Sequence, residues 1–223
     1  MIINSFLDGI RSAGGNVELF YTSELDIKHC NGDMSCWLKH PGECMIKDDM
    51  EQLYPLFREE DVIVYGSPVH DSGISAPLKN LIDRTLPLGQ PFFEIKDSRT
   101  YQPNPERTKT KKVVLIYCCA YWEMDNFDPL LAWIKAYCRS WSNIFAGALL
   151  RPHAEALRPM MDMGAPVSYV LQAAQDAGRQ LVMQEGMSEE TLNIVGRQLL
   201  PMEMYIGSIN ENFKKEMNDS GAK

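Results

Sequence analysis

The stretch that decides the fold lies at residues 62–68 and reads Val-Ile-Val-Tyr-Gly-Ser-Pro. A short, continuous apolar run that ends in a turn signal is typical of a strand covered on both faces. Two more runs of this kind lie at residues 113–118 and 143–150, and helical patterns separate the runs at residues 76–84 and 129–139. Strands that alternate with helices predict an α/β fold with a doubly wound parallel sheet in three layers, α/β/α.

The segments around this core complete the predicted layout. Apolar residues at helical spacing predict a first helix that ends before Gly14, and alternation predicts a short strand at Val17–Tyr21. Further helices are predicted at residues 50–58, 167–182, 188–200 and 202–217. We therefore expect a sheet domain over residues 1–150, followed by a C-terminal helical extension over residues 151–223.

Composition excludes several classes of protein. The 223 residues are 45% hydrophobic and 23% charged, as in an average soluble globular chain, and the net charge of −8 offers no attraction for nucleic acid or anionic membranes. The longest apolar run, residues 113–122, has about half the length of a membrane-spanning helix. The first residues lack the basic region of a signal peptide, and the six cysteines are typical of thiols in a reducing compartment. We expect a cytoplasmic protein without nucleic-acid or membrane partners.

Two loops follow predicted strands at residues 66–74 and 118–126, and both contain small residues and rings. Ligands of open parallel sheets bind beyond the carboxyl ends of the strands, where such loops cluster. The small residues allow backbone to approach a ligand, and the rings could lie against a flat one. We expect the two loops to converge on one planar ligand.

Three stretches carry a resemblance to a known family. Residues 66–70 read Gly-Ser-Pro-Val-His, and residues 74–84 read Ile-Ser-Ala-Pro-Leu-Lys-Asn-Leu-Ile-Asp-Arg. The third stretch, residues 36–50, carries Cys36-Trp37 and Pro41-Gly42-Glu43-Cys44. Together they resemble the NADPH-dependent FMN reductase family, the flavodoxin-like group that also contains the iron–sulfur flavoproteins, over roughly residues 1–150.

The resemblance implies a flavodoxin-like sheet that binds FMN, accepts electrons from NAD(P)H and passes them to a small acceptor. It implies cofactor contacts from Ser67, Pro68, Val69, His70, Ser72, Gly73, Ile74, Cys118, Cys119, Ala120, Tyr121 and Trp122. The family usually has Tyr at the position of His70 and Gly at that of Ala120. We assign no catalytic acid or base, because hydride transfer requires mainly that two rings stack. Tyr121 and Trp122 either form a platform for nicotinamide or substrate, or close the end of the core.

The first strand and the phosphate-binding loop of a flavodoxin-like domain are not found in the sequence. A flavodoxin-like domain starts with a central strand and a loop that cradles the FMN phosphate ahead of the first helix. Here the sequence starts inside that helix. Three explanations are open: the start is a downstream methionine of a longer protein, the chain is truncated and binds FMN weakly, or another chain fills the gap. We favour the first.

The cysteine loop has Cys30, Cys36 and Cys44 as candidate metal ligands. Iron–sulfur flavoproteins have four cysteines in this loop, and Asp33 lies where the resemblance implies the second. The resemblance to iron–sulfur flavoproteins suggests a 4Fe-4S cluster, for which thiolates are the usual ligands. Zinc with His29 or His40 as fourth ligand is a weaker alternative. We favour a loop that is ordered by packing of Trp37 and contains ordinary thiols.

The sequence thus predicts an FMN-dependent NAD(P)H oxidoreductase, with a quinone, a flavin, an iron complex or a nitro compound as acceptor. The alternatives are a flavodoxin-like electron carrier and a truncated relic that acts in assembly. We also expect a homo-oligomer, for which methionines in the C-terminal helices could line an interface or instead fill a core. Asp83 and Arg84 are predicted to form a surface or interface ion pair of little energetic weight.

Overall fold

The computed structural model describes residues 1–103 and 109–219. The strands are β1 (Val62–Pro68), β2 (Glu94–Lys96), β3 (Arg99–Tyr101), β4 (Lys112–Cys118) and β5 (Ile144–Arg151). The helices are α1 (Ile2–Ser12), α2 (Ser35–Leu38), α3 (Met50–Glu59), α4 (Ala76–Asp83), α5 (Asp128–Ser140), α6 (Leu157–Asp162), α7 (Tyr169–Met183), α8 (Glu189–Gly196) and α9 (Met202–Asp219).

The main sheet has the order β1-β4-β5. The first residues of the three strands are joined at one end, since Lys112 donates to the carbonyl oxygen of Asp61 and Ile144 to that of Lys111. This arrangement is parallel, and helices connect the strands, so the predicted α/β class with a parallel sheet is confirmed. β4 is buried along its length, from Val113 to Tyr117.

The predicted strand at Val17–Tyr21 is wrong. These residues have no regular secondary structure and are mostly exposed. A strand needs a partner for its backbone hydrogen bonds, and among the described residues none pairs with this segment. β1 differs from expectation in a related way, because only Tyr65 is buried while residues 62–64 are half-buried.

Residues 16–116 and 127–148 form one compact unit, here called the central unit. It contains α3, α4 and α5, whose buried residues include Leu53, Leu81 and Ile134. An antiparallel hairpin of β2 and β3 pairs Glu94 with Tyr101.

Residues 1–15, 117–126 and 149–223 form the second unit, here called the terminal unit. In this unit α1 packs directly on α7, because both helices have glycine at the contact. A Cβ on Gly9 would lie 1.9 Å from the carbonyl oxygen of Gln175, and one on Gly178 would lie 2.0 Å from that of Phe6. The predicted boundary at residue 150 refers to the extent of the resemblance and stays a prediction.

The C-terminal helices confirm most of the predicted pattern. α7 and α9 lie within two residues of their predicted limits, whereas α8 ends at Gly196, four residues early. Ser188 caps α8, since its Oγ accepts a hydrogen bond from the amide of Thr191 at 3.2 Å. Among the described residues, no helix combines the length and the apolarity needed to cross a bilayer.

Candidate functional site

The loop after β1 contains a tight turn in the central unit. Asp71 and Ser72 have left-handed backbone, with φ of 48° and 61°. His70 and Gly73 close the turn with two reciprocal backbone hydrogen bonds of 3.0 and 2.8 Å. Two consecutive left-handed residues inside such a pair form a type I′ turn.

The predicted cofactor residues of this loop lie at or near the surface. Pro68, His70 and Ser72 are exposed, whereas Ser67, Val69, Gly73 and Ile74 are half-buried. The Ser67 hydroxyl donates to the carbonyl oxygen of Pro68 at 2.8 Å. The turn therefore offers a small, preformed surface against which a flat ligand could lie.

The loop after β4, residues 118–122, belongs to the terminal unit. Ala120 and Tyr121 are exposed, Cys118 and Trp122 are half-buried, and Cys119 is buried. The Cys119 thiol donates to the carbonyl oxygen of Tyr121 at 3.5 Å. Tyr121 is 66% exposed, so its ring is available for contact with a ligand.

Residues that are distant in sequence hold the backbone of this β4 loop. The Tyr121 carbonyl oxygen accepts from the amide of His153 at 2.7 Å, and the Cys119 carbonyl oxygen accepts from the amide of Ala154 at 2.9 Å. The Ala120 carbonyl oxygen accepts from the hydroxyl of Tyr205. Three successive carbonyl groups are thus fixed from the end of β5 and from α9.

Trp122 is fixed in the same way. Its indole Nε1 donates to the carbonyl oxygen of Leu200 at 3.2 Å. Its ring stacks on that of His153 with the centroids 6.1 Å apart. The rings of His153 and Tyr205 form a T-shaped pair with their centroids 5.6 Å apart. In the terminal unit, Trp122 therefore packs against His153 and the segment around Leu200.

His153 is a fully buried imidazole that acts as an acceptor. Its Nε2 accepts from the amide of Leu199 at 3.0 Å and lies 2.9 Å from Nη2 of Arg151. Burial and the charge of Arg151 together lower the pKa of His153 to about 4, and a hydrogen bond with the Trp122 backbone acts in the opposite direction. The ring is neutral at neutral pH, with Nε2 unprotonated.

Arg151 is also fully buried and bonds to carbonyl oxygens. Its guanidinium donates to Pro152 at 2.8 Å, to Val195 at 2.8 Å and to Arg197 at 2.7 Å. Burial lowers the pKa of Arg151 to about 10, so the group stays charged at neutral pH. It ties the end of β5 to the C-terminus of α8, where the helix leaves carbonyl groups without partners of its own.

The cysteine loop in the central unit is organised by Arg84. Its guanidinium donates to both carboxylate oxygens of Asp48, to the carbonyl oxygen of Lys28 at 2.6 Å and to that of Ile46 at 3.5 Å. Asp48 in turn accepts from the amides of Lys28 and Met50 at 2.9 and 3.1 Å. This pair joins both ends of the loop to the end of α4.

The prediction that Asp83 and Arg84 form a surface pair is wrong. Asp83 pairs with Lys79, four residues earlier on an exposed face of α4. Arg84 is 1% exposed and pairs with Asp48, whose side chain is completely buried. The local spacing gave no signal of this pairing, because the partners are 36 residues apart.

The candidate metal ligands Cys30, Cys36 and Cys44 are exposed or half-buried free thiols. Burial raises the pKa of Cys36, and the neighbouring Cys44 and Cys30 raise it further. Cys44 lies 3.5 Å from Nη2 of Arg84. Over residues 1–103 and 109–219, no three His, Cys, Asp or Glu side chains are arranged to hold a metal ion. Trp37 packs as expected for an ordered loop, with Nε1 donating to the carbonyl oxygen of Leu86 at 2.8 Å.

Comparison with known proteins places these features in a family. Residues 1–122 match the family described as NADPH-dependent FMN reductase. An iron–sulfur flavoprotein of Archaeoglobus fulgidus is 35% identical over 88 residues, which is 40% of this chain and 39% of that protein. One of Methanocaldococcus jannaschii is 34% identical over 88 residues, 40% of this chain and 45% of the relative. The chain thus spans less than half the length of these curated relatives.

Solved structures show the same fold at low sequence identity. An NAD(P)H:quinone oxidoreductase from Methanothermobacter marburgensis matches with a TM-score of 0.54 and 14% identity, over 81% of this chain and 87% of that one. An azoreductase from Bacillus anthracis matches with a TM-score of 0.51 and 14% identity, over 82% and 89%. These likenesses concern the fold alone, and they confirm the predicted flavodoxin-like sheet with C-terminal helices.

Proposed function

Because the chain belongs to the NADPH-dependent FMN reductase family, we propose that it is an FMN-dependent oxidoreductase that takes electrons from NAD(P)H and passes them to a small acceptor. The observation that carries the proposal is the β4 loop. Hydrogen bonds from His153, Ala154 and Tyr205 fix its backbone, while Tyr121 stays 66% exposed. A rigid loop that presents an exposed ring suits the positioning of a flat redox ligand.

The described residues fit the ring of FMN. The β1 turn supplies small residues at Ser72 and Gly73, and its backbone is preformed by the hydrogen bonds between His70 and Gly73. We therefore assign contacts with the flavin ring to these residues.

Bound FMN would accept hydride from NAD(P)H and deliver electrons to the acceptor. The contribution of the chain is to hold and orient the rings. Tyr121 offers a face on which nicotinamide or an aromatic acceptor can stack, a contact typically worth about 1 kcal/mol. His153 is neutral and keeps the β4 loop in place, and we assign no side chain as proton donor or acceptor.

We assign no role in electron transfer to the cysteine loop. The named relatives are iron–sulfur flavoproteins, but Arg84 already contacts Cys44 here, and the loop has three cysteines. We propose that Cys30, Cys36 and Cys44 remain thiols while the Arg84–Asp48 pair orders the loop.

The experiment starts from the purified chain mixed with FMN, with binding followed by the visible spectrum and NAD(P)H oxidation measured with a benzoquinone. We expect saturable flavin binding and acceptor-dependent oxidation, with substoichiometric iron after anaerobic preparation. Absence of flavin binding would overturn the proposal and favour the assembly role. Flavin binding without NAD(P)H oxidation would favour an electron carrier, and stoichiometric iron would overturn the account of the cysteines.

A variant tests the role of the exposed ring. Tyr121→Ala should raise KM for NAD(P)H or for an aromatic acceptor about threefold to tenfold with little change in kcat, because it removes a stacking contact. Phe93→Ala is the matched control, since Phe93 is 70% exposed but lies outside both loops. Equal effects of the two substitutions would contradict the assignment of Tyr121.

A further inference from the structure

The last helix, α9, is packed only in its first half. Tyr205 is buried, and Met202 and Ile209 are half-buried. From residue 210 to residue 219 every described residue is exposed. Isolated helical segments of this length are marginal in water, so a partner on this face would stabilise the second half of the helix.

An apolar stripe runs along α9 into the exposed half. Met202, Ile206, Ile209 and Phe213 follow one another at intervals of four, three and four residues, the spacing of one helix face. At about 100° per residue the four positions fall within an arc of about 60°. Ile206 is 47% exposed and Phe213 is 57% exposed. Much of the stripe is therefore not covered by the residues that the structure describes.

The stripe is nearly symmetric about the point between Ile209 and Asn210. If two copies of α9 lie antiparallel about that point, Ile206 of each copy faces Phe213 of the other, and the two Ile209 residues meet near the axis. The apolar pattern therefore fits a second copy of itself without any shift.

The charges at the edge of the stripe fit the same arrangement. Glu203 and Lys214 are exposed and lie on the same flank of α9, eleven residues apart. In the antiparallel pair, Glu203 of one copy comes within about two residues of the axial level of Lys214 in the other, twice by symmetry. The helix also carries more acidic than basic residues, which disfavours an anionic membrane surface as the occupant.

We propose that α9 is a self-association surface, through which two copies of this chain pair antiparallel about a two-fold axis between Ile209 and Asn210. An 18-residue helix is about 27 Å long, so the pair alone lies at the small end of stable interfaces. The dimer is therefore reversible, and its fraction depends on protein concentration. This inference does not depend on flavin binding.

Sedimentation velocity over a range of concentrations tests the pairing. The wild-type chain should show a monomer–dimer equilibrium, and Phe213→Glu should raise its dissociation constant at least tenfold. Met204→Glu is the matched control, because Met204 is 64% exposed on the opposite face of the same helix and should leave the constant unchanged. Circular dichroism checks that both variants fold. A monomer at all concentrations, or equal weakening by both variants, would overturn the proposal.

Cross-linking tests the orientation in a Cys30→Ser background, which removes an exposed native thiol. Oxidation of a mixture of Ile206→Cys and Phe213→Cys chains should give the mixed disulfide in large excess over either same-site disulfide. Predominant same-site disulfides would indicate parallel helices and overturn the antiparallel geometry. Cosedimentation of the chain with phosphatidylserine vesicles, lost in Phe213→Glu, would instead assign the stripe to a membrane surface.

Discussion

Two arginines are buried with different partners: Arg84 in the central unit and Arg151 in the terminal unit. Each donates to backbone carbonyl groups and so holds loops that are distant in sequence. Arg84 has the carboxylate of Asp48 beside it. Among the described residues Arg151 forms no ion pair, and its other partner is the neutral ring of His153.

The difference appears in the pKa values. Burial by itself would lower the pKa of Arg84, but the hydrogen bond to Asp48 reverses the direction and raises it. Arg151 shows the effect of burial directly, with its pKa lowered to about 10. The free energy of burying the charged Arg84 depends on the carboxylate of Asp48. For Arg151, which is held by carbonyl groups, it depends on neighbouring groups such as His153 remaining neutral.

The largest expected effect comes from breaking the charged pair. Asp48→Asn leaves Arg84 as a buried cation without its counter-charge and should lower the free energy of unfolding by about 3–5 kcal/mol. Urea unfolding followed by circular dichroism measures the change. Asp83→Asn removes an exposed carboxylate paired with Lys79 and should cost at most about 1 kcal/mol. Similar losses in both variants would mean that burial of the Arg84–Asp48 pair adds nothing.

The next effect concerns the neutral partner of Arg151. The pKa of His153 is lowered to about 4 in the folded protein, below the ordinary value of 6.5. Between these values the unfolded chain binds a proton that the folded chain does not, so the free energy of unfolding falls as the pH falls. The total loss should be about 3 kcal/mol between pH 6.5 and pH 4. The Asp48 carboxyl, whose pKa is lowered by Arg84 and two backbone amides against the effect of burial, adds its loss only at more acidic pH.

A variant isolates this pH dependence. His153→Asn cannot gain the proton, and Asn tolerates the left-handed backbone at this position, where φ is 39°. Its unfolding free energy should be lower at pH 7 and nearly flat between pH 6.5 and pH 4. His70→Asn, at an exposed position, should keep the wild-type slope. An unchanged slope in His153→Asn would show that another group is responsible.

The smallest expected change in the free energy of unfolding concerns a hydrogen bond that holds the β4 loop. Tyr205→Phe removes the hydroxyl that bonds to the Ala120 carbonyl group and should lower the free energy of unfolding by about 1 kcal/mol. Tyr121→Phe removes a hydroxyl from an exposed ring in the same terminal unit and should change it by less than about 0.5 kcal/mol. If Tyr205→Phe had no effect, the bond to Ala120 would not stabilise the loop.

Sequence reasoning reached the features that depend on neighbouring residues. The apolar runs predicted β1, β4 and β5, because the period and the length of an apolar run are local properties of the sequence. The α/β class followed from their order. The strand at Val17–Tyr21 failed for the opposite reason, since pairing requires a partner that alternation of side chains does not reveal.

Local sequence patterns could not predict the hydrogen bonds that hold the candidate site, because these bonds join residues that are distant in sequence. Tyr205 bonds to Ala120 across 85 residues, and Arg151 to Val195 across 44, so no spacing along the chain connects them. Arg84 looked like an ordinary charge at the end of a helix. The contacts predicted for Ser67 to Ile74 and for Cys118 to Trp122 remain predictions, to be tested with flavin.

The close contact of Gly9 with Gln175 has a consequence for the order of events during synthesis. The surface on which α1 packs belongs to α7, which is synthesised more than 150 residues later. Until α7 emerges, the apolar side of α1, with Phe6 and Ile10, has no native cover from that helix. The apolar face of α1 is therefore covered only after α7 has been synthesised, which makes this contact a late step of folding.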